Sequence, residues 1–475
     1  MAKKLSIYDQ FEIRGYWWLP SNPEHVIAGI LNFGLDGIDL KLFGTLTKGF
    51  PFEEKTDKFD FILGQTEEGN ITLHNGFQTK MKMSGITSTQ LTFNQLLIGK
   101  HFTNKKEMLF HSASINYSYL EEWMGHHPFS EDYMEKEGIL TKADMTYTFP
   151  PVFEAMVDSI GATIKAGYHF NTSSEKYKKK TYEHTSSLDI MPNEGRGLDW
   201  YLEITGELQN MLTLLMNRPV YPKRITAKGD LINGKRGLRE KIEIFILPMR
   251  EFQEKKIRAT DRYITYHLIK DNIADVLSNW FLDEEMKSSR RIFLRNLYNV
   301  GSDWENEFLD YAKSIESFHR DTSGDAGKFI TDETYEPIKQ QMIEVIPKNT
   351  DQNLKQKLIS TLKYAHHFGF QRRVRETLLK LDLDLQNVMF EDTKKLKAFA
   401  GDITNTRDYY THIGDVPEYY FKEWELYFAN KRMHTVLFYH LCKRLGIGDD
   451  ILRPVILQND WVVQWLENAK QELQN

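Results

Sequence analysis

Val26-Ile27-Ala28-Gly29-Ile30-Leu31-Asn32-Phe33-Gly34-Leu35-Asp36-Gly37-Ile38-Asp39-Leu40-Lys41-Leu42 decides the fold of the first half of the chain. Ile38, Leu40 and Leu42 recur at every second position, the period of a half-buried strand. Asp36-Gly37 can supply the positive φ angles of a tight hairpin between Val26–Phe33 and Ile38–Leu46. Ile71 and Leu73 repeat the alternation, and Glu68-Gly69-Asn70 marks another reversal. From Phe11 to about Met191 the segments stay short and glycine-punctuated, which predicts a β-sandwich or barrel. Tyr16-Trp17-Trp18, in such a setting, reads as core packing rather than a stacking platform for bases or sugars.

The period then changes. Trp200, Ile204, Leu208, Leu212 and Leu215 recur at helical spacing from about Leu198 to Asn217, before Pro219, and Lys241–Leu247 alternates once more. Beyond Glu251 helical spacing dominates. Ser302 and Glu305 form a capping box before the stripe Trp304, Phe308, Ile315 and Phe318. Leu354, Leu358, Leu362 and Ala365 make a second stripe closed by Gly369, and the longest helix is expected from Pro417 to Leu445 with Gly446 as its left-handed terminator. Asn459 or Asp460 caps the last helix. The expected class is α+β: a β-rich domain over 1–250 and an all-α helical bundle over 251–475.

The 475 residues carry 61 basic and 67 acidic side chains, a formal net charge of -6. No global positive field draws this chain to nucleic acid, so any polyanion site must be local. One cysteine, Cys442, excludes an intrachain disulfide and a multi-cysteine metal site, and suits a reducing cytoplasm. No run approaches the ~20 apolar residues of a membrane span, so the expectation is a cytoplasmic protein with no membrane partner.

Several motifs fail on inspection. Gly229-x-x-x-x-Gly234-Lys235 begins like a phosphate-binding loop, but Arg236 stands where Ser or Thr would hold Mg²⁺ and a strand follows, so a hairpin turn is the better reading. His126-His127 and His366-His367 have no carboxylate at ligand spacing and are read as surface or interface histidines; no metal and no cofactor is expected. Lys176 and Lys178–Lys180 read as a solvated loop rather than a nucleic-acid contact.

Asn405-Thr406-Arg407-Asp408-Tyr409-Tyr410-Thr411-His412 survives. An arginine, four residues and a histidine is a weak pattern alone; with 15 histidines, chance supplies about one such pair. Arg262 and His267 form another, read as structural because Tyr263 follows Arg262, whereas an acidic residue follows Arg407 near a helix end before Gly414. Five residues at 100° each put His412 about 140° around a helix from Arg407. Either the helix loosens before Gly414, or the pair flanks a cleft completed by another subunit.

These residues resemble the motif of the HEPN ribonucleases: arginine, a polar residue, three variable residues and histidine, matched by Arg407, Asp408 and His412. The resemblance extends to the ApeA-type bacteriophage-defence proteins, which join a β-rich N-terminal domain to a C-terminal HEPN domain. Ile315-Glu316-Ser317-Phe318-His319-Arg320 and Leu437–Ile447 resemble helices of that domain; Gly15-Tyr16-Trp17-Trp18-Leu19-Pro20, Gly29-Ile30-Leu31 and Gly64-Gln65-Thr66 resemble the first domain. The resemblance implies catalytic roles for Arg407, His412 and Asp408, a homodimer with a composite site, a metal-independent endoribonuclease acting on RNA, tRNA among the candidates, in abortive infection, and a phage-derived trigger sensed by the N-terminal domain. A catalytically silent RNA- or protein-binding module with a ligand-sensing β domain is the alternative. A related subgroup carries an AMPylated tyrosine two residues past the histidine; Gly414 stands there, so that regulation is not implied.

Chemically the motif suits RNA, whose 2′-hydroxyl is a built-in nucleophile. The enzyme needs a base, a cation beside the phosphate and a proton for the leaving 5′-oxygen. Histidine titrates near neutrality, and arginine offers a fixed fork of donors. Asp408 could orient Arg407 or His412, although a carboxylate repels phosphate.

Overall fold

Alternating burial builds the first half as the sequence leads one to expect, and the strands close on themselves. The computed structural model describes residues 5–46, 58–82, 85, 87–232, 237–248, 250–258, 261–299, 301, 303–412 and 416–473. Its first six strands are β1 (Phe11–Leu19), β2 (Asn22–Gly34), β3 (Gly37–Leu42), β4 (Lys58–Thr66), β5 (Gly69–Lys82) and β6 (Ser88–Ile98). All pairings among them are antiparallel. Because β6 pairs with β3 through Thr89–Thr92 and with β5 along its length, the order β6-β3-β2-β1-β4-β5 returns to its start, which makes a barrel.

Gly34 pairs with Gly37, so the loop is Leu35-Asp36 and Gly37 is a strand residue. The positive φ expected at Asp36-Gly37 is absent from the described residues there. Gly37 instead leaves room for the Asp39 carboxylate, whose Oδ2 would lie 2.7 Å from an added Cβ. The second reversal does use a left-handed glycine, Gly69, at φ 101. Trp17 is fully buried inside the barrel while Tyr16, one step along β1, is 61% exposed, so only part of the aromatic triplet packs as expected. Gly64 makes room for the indole: a Cβ there would sit 2.4 Å from Trp17 Cζ3. Gly64→Ala should cost about 1–3 kcal/mol by overpacking. Gly206→Ala, where a Cβ meets nothing within 4 Å inside a helix, should be neutral or gain about 0.5–1 kcal/mol. Thermal unfolding of the two variants with opposite signs checks the pair.

The chain continues through β7 (Leu109–Phe110), β8 (Ser112–Tyr117), α1 (Leu120–Met124), β9 (Phe129–Lys136), β10 (Ile139–Tyr147), β11 (Glu154–Val157), β12 (Ala162–Glu175), β13 (Lys179–Pro192), β14 (Arg196–Gly197), α2 (Leu198–Met216), β15 (Pro222–Leu231) and β16 (Arg239–Ile246). Past Thr92, β6 changes partner to β16, and β16-β15-β8-β13-β12-β11 carries the same sheet onward to twelve strands among the described residues. Among the described residues β9 pairs only with β10, and β7 with β14. β15 and β16 pair across the segment that began like a phosphate loop; Gly234, Lys235 and Arg236 lie outside the described residues. Lys176 and Lys178 flank the β12–β13 turn, whose Tyr177 is 92% exposed.

Helices follow: α3 (Tyr266–Ile269), α4 (Ile273–Leu282), α5 (Lys287–Tyr298), α6 (Trp304–Ser323), α7 (Asp332–Glu344), α8 (Gln352–Leu362), α9 (Phe370–Leu379), α10 (Leu383–Phe390), α11 (Thr393–Thr411), α12 (Glu423–Arg444), α13 (Asp449–Leu457) and α14 (Asp460–Glu472). The class is therefore α+β, a barrel-bearing β region with a C-terminal helical bundle. Ser302 lies outside the described residues, and α6 is capped by Asp303, which accepts from Asn306 N–H at 2.9 Å. Leu354 and Leu358, expected in a buried stripe, are 52% and 39% exposed, and α8 buries none of its residues. Helical spacing reports an apolar face and not a partner that covers it. α12 begins at Glu423 rather than Pro417 because Lys422 is extended and its N–H donates to the Glu425 carboxylate at 3.1 Å. Gly446, at φ 88, ends it, and Asn459 caps α14 through Val462 N–H.

Compactness divides the chain into Met1–Leu212, Val220–Ile257 and Thr265–Ser278 on one side, and Thr213–Pro219, Arg258–Ile264 and Asn279–Asn475 on the other. Among the described residues no helix is long and apolar enough to cross a membrane.

Candidate active site

α11 is fixed before it delivers any chemistry. Asp392 caps it by accepting from Lys395 N–H at 2.8 Å, and Leu396, Phe399, Ala400, Ile403 and Thr406 are its buried face. Thr406, fully buried, also accepts from Phe421 N–H at 2.9 Å, tying the stretch before α12 to the last turn of α11. Thr406→Val keeps the shape but strands that N–H, and should cost about 1–3 kcal/mol in chemical denaturation.

Arg407 stands next to this face. Its guanidinium donates to Asp408 Oδ1 at 2.9 Å, lies 4.0 Å from the Glu316 carboxylate of α6, and sits 4.9 Å from the centre of the Phe370 ring of α9. With the side chain 34% exposed, it is anchored yet open to an anion. Helical geometry runs through Thr411, whose hydroxyl donates to the Arg407 carbonyl. His412 then turns extended, at φ −125 and ψ 112. Its N–H still donates to the Asp408 carbonyl at 2.9 Å, the last bond of the helix ladder. The imidazole is exposed, and among the described residues it has no side-chain partner.

The helix therefore ends before Gly414, the first of the two arrangements the 140° offset allowed; residues 413–415, Gly414 included, lie outside the described residues. Arg407 leans on α6 and α9 while His412 stands past the helix end, and no contact between the two side chains is among those described. Asp408 serves both, pairing with Arg407 through its carboxylate and with His412 through its carbonyl alone. Sequence reading missed Glu316, Phe370 and a tyrosine pair, Tyr409 on Tyr420 with ring centres 3.9 Å apart. Glu316 belongs to the quoted stretch Ile315–Arg320, but no local spacing links it to Arg407.

The remaining candidates fall elsewhere. His126 lies edge-on to His267 at 5.1 Å, and Arg262 accepts from Asn459 through its carbonyl. His366 is buried, not a surface residue, and the fold does bring it a carboxylate: Asp332 Oδ1 at 2.6 Å, with His367 close by. Lys328 donates to the other Asp332 oxygen at 2.7 Å and, with His366, holds that carboxyl down to about 2. An ammonium already neutralises this cluster, which joins the backbone bridge of Lys328 with His367.

A family model described as ApeA N-terminal domain 1 matches residues 12–280, and one described as Apea-like HEPN matches 309–451, the span that contains α11 and its motif. No curated protein and no solved structure matches the chain. A barrel-bearing β region, a helical bundle carrying Arg407, Asp408 and His412, and these two matches together place the chain in the ApeA family of HEPN-containing bacteriophage-defence proteins.

Proposed function

We propose that the chain is a metal-independent endoribonuclease acting in abortive infection, with Arg407 and His412 as its catalytic pair. The observation that carries this reading is the contrast at the end of α11: a guanidinium held between Asp408, Glu316 and Phe370, and an exposed imidazole beyond the last helical turn. His412 takes the proton of the 2′-hydroxyl or gives one to the departing 5′-oxygen. Arg407 meets the phosphate as charge builds on it. The products are a 2′,3′-cyclic phosphate and a 5′-hydroxyl.

One motif supplies a single imidazole and one guanidinium already shared with carboxylates. A homodimer that faces two motifs across a two-fold axis doubles both groups, so the 2′-oxygen and the 5′-oxygen each have a histidine of their own. Host RNA, tRNA among it, is the substrate class, and the β-rich region senses a phage-derived trigger or restrains the nuclease. Incubation of purified protein with total RNA in chelator, beside His412→Ala, tests the reading. Cleavage by the wild type alone supports it; RNA binding without cleavage in both leaves a binding module in its place.

A further inference from the structure

Ser289 of α5 and Ser314 of α6 exchange hydrogen bonds at 3.0 Å between each hydroxyl and the other's carbonyl, drawing the two helices together. Beside this contact the longer side chains open a cleft of about 670 Å³. Arg291 and Arg295 line it from α5, four residues apart; Lys313, Glu316, Arg320 and Asp321 line it from α6 at spacings of three, four and one. Both sets are the faces that helical geometry makes continuous.

Four cations against two acids give this cleft a positive balance on a chain whose net charge is -6. Arg295 is paired with Asp310, and Arg320 with Glu316 at 2.7 Å. Among the described residues Arg291 and Lys313 have no ion-pair partner, and both are exposed. No aromatic ring among the described residues lines the cleft, so it offers charge to a backbone and no stacking surface to bases. Glu316 belongs to the cleft and also lies 4.0 Å from Arg407, so one side chain is shared by the cleft and the motif.

We infer that the α5–α6 cleft is a phosphodiester-binding track, which holds the single-stranded RNA segment flanking the bond presented to Arg407. This rests on the ribonuclease reading and adds to it where the substrate runs. From Ser288 to Arg295 the track is about 10 Å long, at 1.5 Å of rise per residue. At about one charge per 3.4 Å of stacked strand, that is room for about three phosphates. Arg291 and Lys313 bind them directly, and phosphate competes with Glu316 for Arg320.

The test uses full-length His412→Ala protein, which consumes its ligand at least about 100-fold more slowly, and a fluorescein-labelled single-stranded RNA of about 12 nucleotides, with anisotropy read across a salt series. Adding Arg291→Ala and Lys313→Ala should weaken binding about 10-fold and make the salt slope shallower by about 1.4, two phosphate contacts on a single strand. Both side chains are exposed, so the melting temperature should hold. An unchanged slope and affinity, in a protein whose histidine-bearing parent cleaves RNA, overturns the track and leaves the nuclease standing. If the parent neither binds nor cleaves RNA, the nuclease reading falls and the track with it. A change of assembly mass in light scattering with unaltered RNA binding would make the cleft a protein contact and equally overturn it.

Discussion

His412→Ala is expected to lower RNA cleavage by about two to four orders of magnitude, the range a positioned general acid or base contributes, while leaving the fold unchanged. Stability should hold because the imidazole is exposed and, among the described residues, only its backbone N–H is used, at Asp408. Arg407→Ala should abolish cleavage too, but with a small stability loss, since its guanidinium packs against the Phe370 ring and pairs with Asp408. Arg407→Lys separates charge from geometry: an ammonium keeps the cation and loses the planar fork, so activity should stay well below wild type. Arg262→Ala and His267→Ala, which change the other pair of the same spacing, should leave cleavage intact. Gel assays on total RNA, run beside thermal melts, check each variant. Equal loss of activity in a folded His267→Ala protein would refute the choice of motif. Strict Mg²⁺ dependence of the chemical step, or products with 3′-hydroxyl and 5′-phosphate ends, would mean a water nucleophile at a different site.

Much of this arrangement is legible in the sequence, and where it is not the reason is physical. Alternation locates the barrel strands and spacing locates α11, because both report which residues share a face. Closure of the barrel is not legible: it depends on β6 splitting its outer edge between β3 and β16, which no local pattern encodes. Trp17 packs in the core as its setting implies, but Tyr16 does not, since strand neighbours point to opposite faces. The apolar spacing of Leu354 and Leu358 is real, yet α8 buries nothing. Asp332 reaches His366 only through the fold that also bridges Lys328 to His367. In the motif itself, sequence supplies Arg407, Asp408 and His412, and tertiary packing supplies Glu316 and Phe370, which decide the direction in which Arg407 is held.

Acid should destabilise the helical bundle from about pH 6.5 downward, before most of its carboxylates are protonated. Burial holds three histidines neutral: His440 is pushed down to about 4, His319 to about 4, with Arg373 and Lys380 adding to the effect of burial, and His434 to about 3. In the unfolded chain each titrates near about 6.5. Above that value both states are neutral and stability is complete. As pH falls from about 6.5 toward 4, the unfolded state takes up protons that the folded state refuses, so stability is lost across that window. Asp402 works the other way. Burial, with Glu425 nearby, raises its carboxyl to about 6, so the folded state keeps a proton the unfolded chain releases, and this group adds stability as pH falls from about 6 toward 3.8. Asp321, raised by burial, acts with Asp402, and His367, lowered by burial, acts with the other histidines; four histidines against two aspartates leave a net loss. For His440 alone the loss at pH 5 relative to pH 7 is about 2 kcal/mol. His440 Nε2 donates to the Thr377 carbonyl at 2.9 Å, a bond that a glutamine can replace without titrating. His440→Gln should therefore flatten the pH dependence by about that amount, even if its stability at pH 7 is lower. Hydrogen exchange of the α12 amides at pH 7 and pH 5, corrected for intrinsic rates, reads the difference in a single element. An identical drop in the variant and the wild type would show that His440 is not among the groups whose protonation unfolds the bundle.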